Sequence, residues 1–120
     1  MNPTHKVYVY GTLRPGGTPE HLVPGVLYDI SWFPGIQLVD GHTDSRRVVC
    51  EVLEVDDNRL AGLDRYEGYY ENDHERSLYL RVPFEDGWIY VYNQSFDGKT
   101  VIESGDWVKH VNQKEETSCT

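Results

Sequence analysis

One stretch of this chain, Asp56 to Gly68, has helical periodicity, and it is set among short β-prone runs broken by turn residues. In DDNRLAGLDRYEG the apolar Leu60 and Leu63 recur at helical spacing. Asp56 and Asp57 stand where a cap is wanted, and Gly68 stands where a helix stops. The pattern predicts a helix over Asn58 to Glu67. Around it, Val7 to Tyr10, Gly25 to Ile30, Ile36 to Val39, Arg47 to Val55, Ser77 to Val82 and Trp88 to Tyr92 read as strands. Pro34-Gly35, Asp40-Gly41, Glu85-Asp86-Gly87 and Asp97-Gly98 supply the turns between them. Thr18 to Leu22 is expected to form one helical turn, with Thr18 as cap and Pro19 at the first position. Ile102 to Trp107 carries a last short element. Residues 1–110 then form one domain, and residues 111–120 are expected to be a flexible polar tail. Short strands, regular turns and one good helix predict an α+β fold: a small, mostly antiparallel β-barrel, closed or nearly closed, with one main flanking helix.

The chain has 120 residues, enough for one core, and a formal net charge of −9. Phosphate backbones and anionic membrane surfaces attract basic faces, so the charge argues against a nucleic-acid or membrane partner. No apolar run is long enough to span a bilayer, and the polar start of the chain has no secretory h-region. Two cysteines, Cys50 in a strand-like run and Cys119 in the tail, make no disulfide framework, which fits a reducing, cytoplasmic setting.

Two features point to chemistry. The first is Glu67. On the predicted helix, Leu60, Leu63 and Glu67 fall on one face, so the face that packs on the sheet ends in a carboxylate. Partial burial and the negative end of the helix dipole would both raise its pKa towards neutrality, where it can serve as a base. The competing reading has the side chain swinging into solvent at a frayed helix end. The second feature is the turn in VYVYGTLRPGG, Val7 to Gly17. It has the glycine spacing of a phosphate loop but Gly17 where the lysine must stand, which argues against nucleoside triphosphates. A plain connecting loop, or a nest of backbone amides that binds a carboxylate, remain as readings of it.

YVYGTLRPG, then FPGI, then VDDNRLAGLDRYEG, in this order and spacing, resemble the gamma-glutamylcyclotransferase-like family, the avirulence-induced-gene domain. The ending WIYVYNQSFDGKTVIESGDW resembles its small bacterial YtfP-like branch. The resemblance runs from about Val7 to Trp107. It implies a small β-barrel with flanking helices. It also implies conversion of a small gamma-glutamyl amine or gamma-glutamyl amino acid into 5-oxoproline and a free amine, with no metal or cofactor. The family's glutamyl-binding turn maps onto Tyr10, Gly11, Thr12 and Leu13, and its catalytic glutamate maps onto Glu67.

The chain departs from the family pattern at three places. A tyrosine commonly follows the glutamate in a Tyr-x-Arg pattern, and Asp73-His74-Glu75-Arg76 stands in the corresponding run, with His74 in the tyrosine's place. Cys50 replaces a glycine and Leu53 a tyrosine in the strand before the helix. These departures motivate an alternative, a non-catalytic small-molecule binding module on the same fold. His5, His21, His42 and His110 show no metal-ligand spacing; His74 is expected to border the pocket. Trp88, Tyr90 and Tyr92 share a strand face as barrel lining, with Tyr92 the candidate for the cavity wall.

Overall fold

A computed structural model describes the backbone of residues 4–118 and the side chains of residues 4–113. In chain order the elements are β1 (Thr4–Val9), β2 (His21–Asp29), β3 (Pro34–Leu38), β4 (Arg47–Asp56), α1 (Asp57–Tyr66), β5 (Tyr79–Phe84), β6 (Gly87–Tyr92), β7 (Thr100–Val101) and α2 (Trp107–Ser118). The strands run β3-β2-β4-β1-β6-β5 across the sheet, and β7 pairs with β2.

The first strand is central. It runs antiparallel to β4, with Val7 opposite Leu53, and parallel to β6, with Val7 opposite Trp88. The pleat sends its side chains alternately to two cores. Tyr8 and Tyr10 join Val48, Cys50, Ile89 and Trp107 in one; Val7 and Val9 join Val55, Leu60, Leu63 and Tyr90 in the other, under α1. Gly87 opens β6 because the strands meet closely there: a Cβ on it would lie 2.1 Å from the Lys6 carbonyl oxygen.

The sheet curls at β2. His21 to Pro24 pair with β4, whereas Gly25 to Asp29 pair with β3. Pro24 has no N–H to give a ladder and Gly25 no side chain to clash, so the strand changes partners at this dipeptide. The curl brings Gly35 of β3 against Tyr92 of β6, where a Cβ on Gly35 would lie 2.8 Å from the tyrosine Cβ. The result is a half-barrel; its α+β composition is as the sequence pattern predicts, while its closure stops short of the closed or nearly closed barrel expected.

Three details differ from the sequence reading. The β1–β6 pair is parallel, because the β5–β6 hairpin returns alongside the first strand in its own direction. Thr18 to Glu20 form no helical turn, because Thr18 is spent on the Glu51 carboxylate and β2 begins at His21. The third difference is a second helix, α2, which occupies most of the expected tail. Asp106 caps it by accepting from the Lys109 N–H at 3.1 Å, and Trp107 and Val111 reach the core from one face. Thr120 and Cys119 lie outside the described residues.

Candidate active site

The first helix is built to present its last residue. Asp56 caps the start by accepting from the Arg59 N–H at 2.8 Å. Leu60 and Leu63 are buried on the sheet. At the other end Gly68 takes φ +67°, its N–H reaches the Arg65 carbonyl at 3.2 Å, and the Tyr69 N–H reaches the Asp64 carbonyl at 2.8 Å. This Schellman closure fixes Glu67 as the C-cap, one helical turn on from Leu63. The frayed-end reading is therefore excluded.

Glu67 lines a cavity of about 320 Å³, at the small end of the roughly 300–1,000 Å³ of small-molecule sites. The same cavity is lined by Tyr10, Gly11, Thr12 and Leu13 of the turn after β1, and by Phe33, Pro34, Tyr66, Leu78, Tyr79 and Tyr90. All five residues singled out from sequence meet here. The Glu67 side chain has no hydrogen-bond or ion-pair partner among the described residues. Burial pushes its pKa up from 4.5 to about 7.

The turn carries the opposite polarity. Its N–H at Arg14 closes on the Gly11 carbonyl at 3.0 Å. The N–H groups of Gly11, Thr12 and Leu13 have no acceptor among the described residues. Gly11 is required for the fit, since a Cβ there would lie 2.7 Å from Pro34 Cγ.

A buried ion pair holds this turn in place. The Arg14 Nε donates to Glu51 Oε2 at 2.7 Å, and the guanidinium also reaches Asp106 and Glu20 at 3.0 Å each. The other Glu51 oxygen accepts from the Gly16 N–H at 3.0 Å and from the Thr18 hydroxyl at 2.7 Å. Glu51 is 1% exposed. Burial works to raise its pKa, but the bonds from Arg14 and Thr18 outweigh that and keep it low. The strand β4 and the start of α2 therefore clamp the loop that follows the turn.

Three of the buried tyrosines on the cavity wall, Tyr10, Tyr79 and Tyr90, spend their hydroxyl protons on groups beneath it. Tyr10 donates to the Tyr90 carbonyl at 2.6 Å, Tyr79 to the Pro34 carbonyl at 2.5 Å, and Tyr90 to Asp64 Oδ1 at 2.7 Å. Arg81 Nε stands 3.4 Å from that Asp64 oxygen, and its guanidinium lies 4.5 Å over the Trp88 ring. Burial holds all three phenols above their ordinary range, and the Glu67 charge adds to this. Each phenol is neutral. With their protons committed, the oxygens of Tyr79 and Tyr90 can offer a bound molecule only an acceptor.

Several sequence expectations are revised. His74 does not line the cavity; its ring packs on Tyr69, 5.9 Å between centroids. A Tyr-x-Arg sequence does stand five positions further on, as Tyr79-Leu80-Arg81, and its Tyr79 is on the cavity wall. Tyr90 rather than Tyr92 lines the cavity, because Tyr92 packs against Gly35 and Tyr79. Asp64 of α1 reaches in to accept from the Tyr90 hydroxyl. Cys50 is fully buried in the core away from the cavity, and burial pushes its thiol up to about 12. Among the described residues no helix is long and apolar enough to cross a membrane.

Comparison with known proteins bears on the family and the fold. Residues 7–109 match the family model described as gamma-glutamyl cyclotransferase, AIG2-like. A Vibrio cholerae protein provisionally named a gamma-glutamylcyclotransferase is 36% identical, with 89% of this chain and 98% of the relative covered. The gamma-glutamylcyclotransferase family protein YtfP of Escherichia coli is 30% identical, with 86% and 96% covered. Its solution structure superposes with a TM-score of 0.55 at 27% identity, covering 88% of this chain and 97% of that one. The crystal structure of an uncharacterized Pyrococcus horikoshii protein shares the fold, with a TM-score of 0.65 at 20% identity and coverage of 93% and 97%. With its turn, its LD-x-x-EG helix and nearly its whole length matched, the chain belongs to the AIG2-like gamma-glutamyl cyclotransferase family.

Proposed function

We propose that this protein is a gamma-glutamyl cyclotransferase. It releases 5-oxoproline and a free amine from a small gamma-glutamyl amine or gamma-glutamyl amino acid. The observation that carries the reading is one cavity shared by a desolvated, partnerless carboxylate and a turn of unpaired backbone amides. A glutamyl head group has the complementary parts. Its α-carboxylate fits the amides of Gly11 to Leu13, and its α-ammonium fits Glu67 and the acceptor oxygens of Tyr79 and Tyr90.

The chemistry follows from that grip. The α-amine, once deprotonated, attacks its own γ-carbonyl carbon, so the nucleophile is already tethered and the site's task is to hold the folded conformer. The new C–N bond closes a five-membered ring, and the old C–N bond to the amine breaks. Two protons leave the α-nitrogen and two arrive on the departing amine, so no water or other reactant is consumed. Glu67, with a pKa of about 7, both accepts and returns a proton near neutral pH. An amide of the turn that is left free steadies the oxygen of the tetrahedral intermediate.

The test is to incubate the protein with gamma-glutamyl amines and gamma-glutamyl amino acids and to measure 5-oxoproline. Glu67→Gln should lower the rate by about a hundredfold or more. Undiminished activity in that variant would remove Glu67 from the role of base.

A further inference from the structure

We infer that the departing amine carries an apolar or aromatic arm and no carboxylate, an inference that rests on the cyclotransferase reading. The argument begins with where the arm must go. The polar groups of the cavity take the amino-acid head, and Tyr79 and Tyr90 beside Glu67 are buried. The exposed members of the lining include Tyr66 at 67% and Leu78 at 38%. Tyr66 directly precedes Glu67 and Leu78 directly precedes Tyr79, with the Leu78 N–H bonded to the Gly68 carbonyl at 3.0 Å. Thr12 of the turn is exposed as well, so the mouth runs from the turn to the reacting end of the site, where Leu13 and Phe33 complete its apolar rim.

The second part of the argument is charge. Among the lining residues only Glu67 is charged at neutral pH. Of the nearby cations, Arg14 and Arg81 are engaged elsewhere. Arg14 is held by three carboxylates, and Arg81 by Asp64 and the Trp88 ring. The Arg65 guanidinium folds back along the helix, 3.9 Å from where a Gly62 Cβ would stand. A carboxylate on the departing amine would lie on apolar side chains, unpaired and repelled by Glu67 and by a chain of net charge −9. An aromatic or aliphatic arm in the same place would cover Tyr66 and Leu78 instead.

A matched pair of substrates isolates the point: gamma-glutamylphenethylamine and gamma-glutamylphenylalanine differ only in the carboxylate on the arm. The expected kcat/KM is at least about tenfold higher for the phenethylamine compound. In an alkyl series, kcat/KM should rise by up to about fourfold for each methylene that reaches the rim. Leu78→Arg, a change at a partly exposed position, should shrink the tenfold preference by giving the carboxylate a partner. Equal or better turnover of the phenylalanine compound would overturn the inference, and an unchanged ratio in Leu78→Arg would overturn the assignment of the rim. If no compound yields 5-oxoproline, the cyclotransferase reading itself fails. Calorimetric binding of the same pair then decides the inference alone: tighter binding of the phenethylamine compound supports it, and equal or absent binding overturns it.

Discussion

Replacing Glu67 by glutamine should stabilise the protein, and by more as the pH rises. A carboxyl that titrates near 7 in the folded chain and near 4.5 when unfolded binds more protons folded than unfolded throughout that interval. Stability therefore falls as the pH rises through it, at about 1.4 kcal/mol per pH unit, and levels off above pH 7. With those two values the ionisation penalty is about 1.4 kcal/mol at pH 5.5 and about 3.3 kcal/mol at pH 8. Glutamine has nearly the same shape and does not titrate, so the gap between variant and wild type should widen by about 2 kcal/mol over that range. Urea unfolding of both proteins at pH 5.5, 7 and 8, with linear extrapolation, measures this directly and needs no substrate. The range stays above the sequence pI of about 4.8, where an acidic chain loses its charge and precipitates. The variant should be the more stable protein at pH 8 and the poorer enzyme at every pH. Stability curves that run parallel would refute the reasoning, because they would mean that the carboxylate is as well solvated folded as unfolded.

Other consequences follow from the same contacts. The kcat/KM of the wild type should rise through about pH 7 as Glu67 ionises and then level off, measured as 5-oxoproline release across pH 5.5 to 8.5; a profile already flat at pH 5.5 would count against Glu67 as the titrating base. Arg14→Met leaves the Glu51 carboxylate buried beside a neutral side chain, so it should cost about 3 kcal/mol in urea unfolding, the usual result of removing one partner of a buried pair. Ser77 is fully buried and its oxygen accepts from the Tyr70 N–H at 2.8 Å, so Ser77→Ala should cost about 1–3 kcal/mol and increase amide exchange at Tyr70. Gly11→Ala drives a methyl into the Pro34 ring and should lower kcat/KM with a smaller effect on stability, because the turn rather than the core must move.

Helix α1 was legible in the sequence because every local signal on it agrees: Asp56 as cap, Leu60 and Leu63 in phase, Gly68 as stop. Glu67 followed from that phase. Helix α2 was obscured because its cap and the two apolar residues that reach the core, Trp107 and Val111, sit within a polar stretch, with the exposed Val108 between them. The pairing of β1 with β6 joins residues some eighty positions apart, and no local pattern encodes that. Tyr79 was present in the sequence as Tyr79-Leu80-Arg81, but the irregular segment before it hides how far the chain travels before re-entering the sheet. Glu51 follows Cys50 in β4, so alternation alone puts it on the opposite face. Its burial depends on Arg14, a partner supplied by a distant loop.

The two carboxylates near the turn make a useful contrast. Glu51 and Glu67 are both drawn out of water, yet the protein treats them oppositely. Glu51 receives a guanidinium, a backbone N–H and a hydroxyl, and stays ionised. Glu67 receives no hydrogen bond or ion pair from the described residues, so burial destabilises its charge. A scaffold gains nothing by leaving a carboxylate in that state, since a leucine continuing the Leu60 and Leu63 face would pack there at no electrostatic cost. The unpaired state is useful only if a ligand supplies the missing partner, and a substrate ammonium is such a partner. Because that ammonium must then lose its proton, a base that bound too stable a charge would hold the substrate and not turn it over. On the cyclotransferase proposal, the same burial that weakens the fold tunes Glu67 for a proton it takes and gives back, while Glu51 clamps the loop that follows the turn.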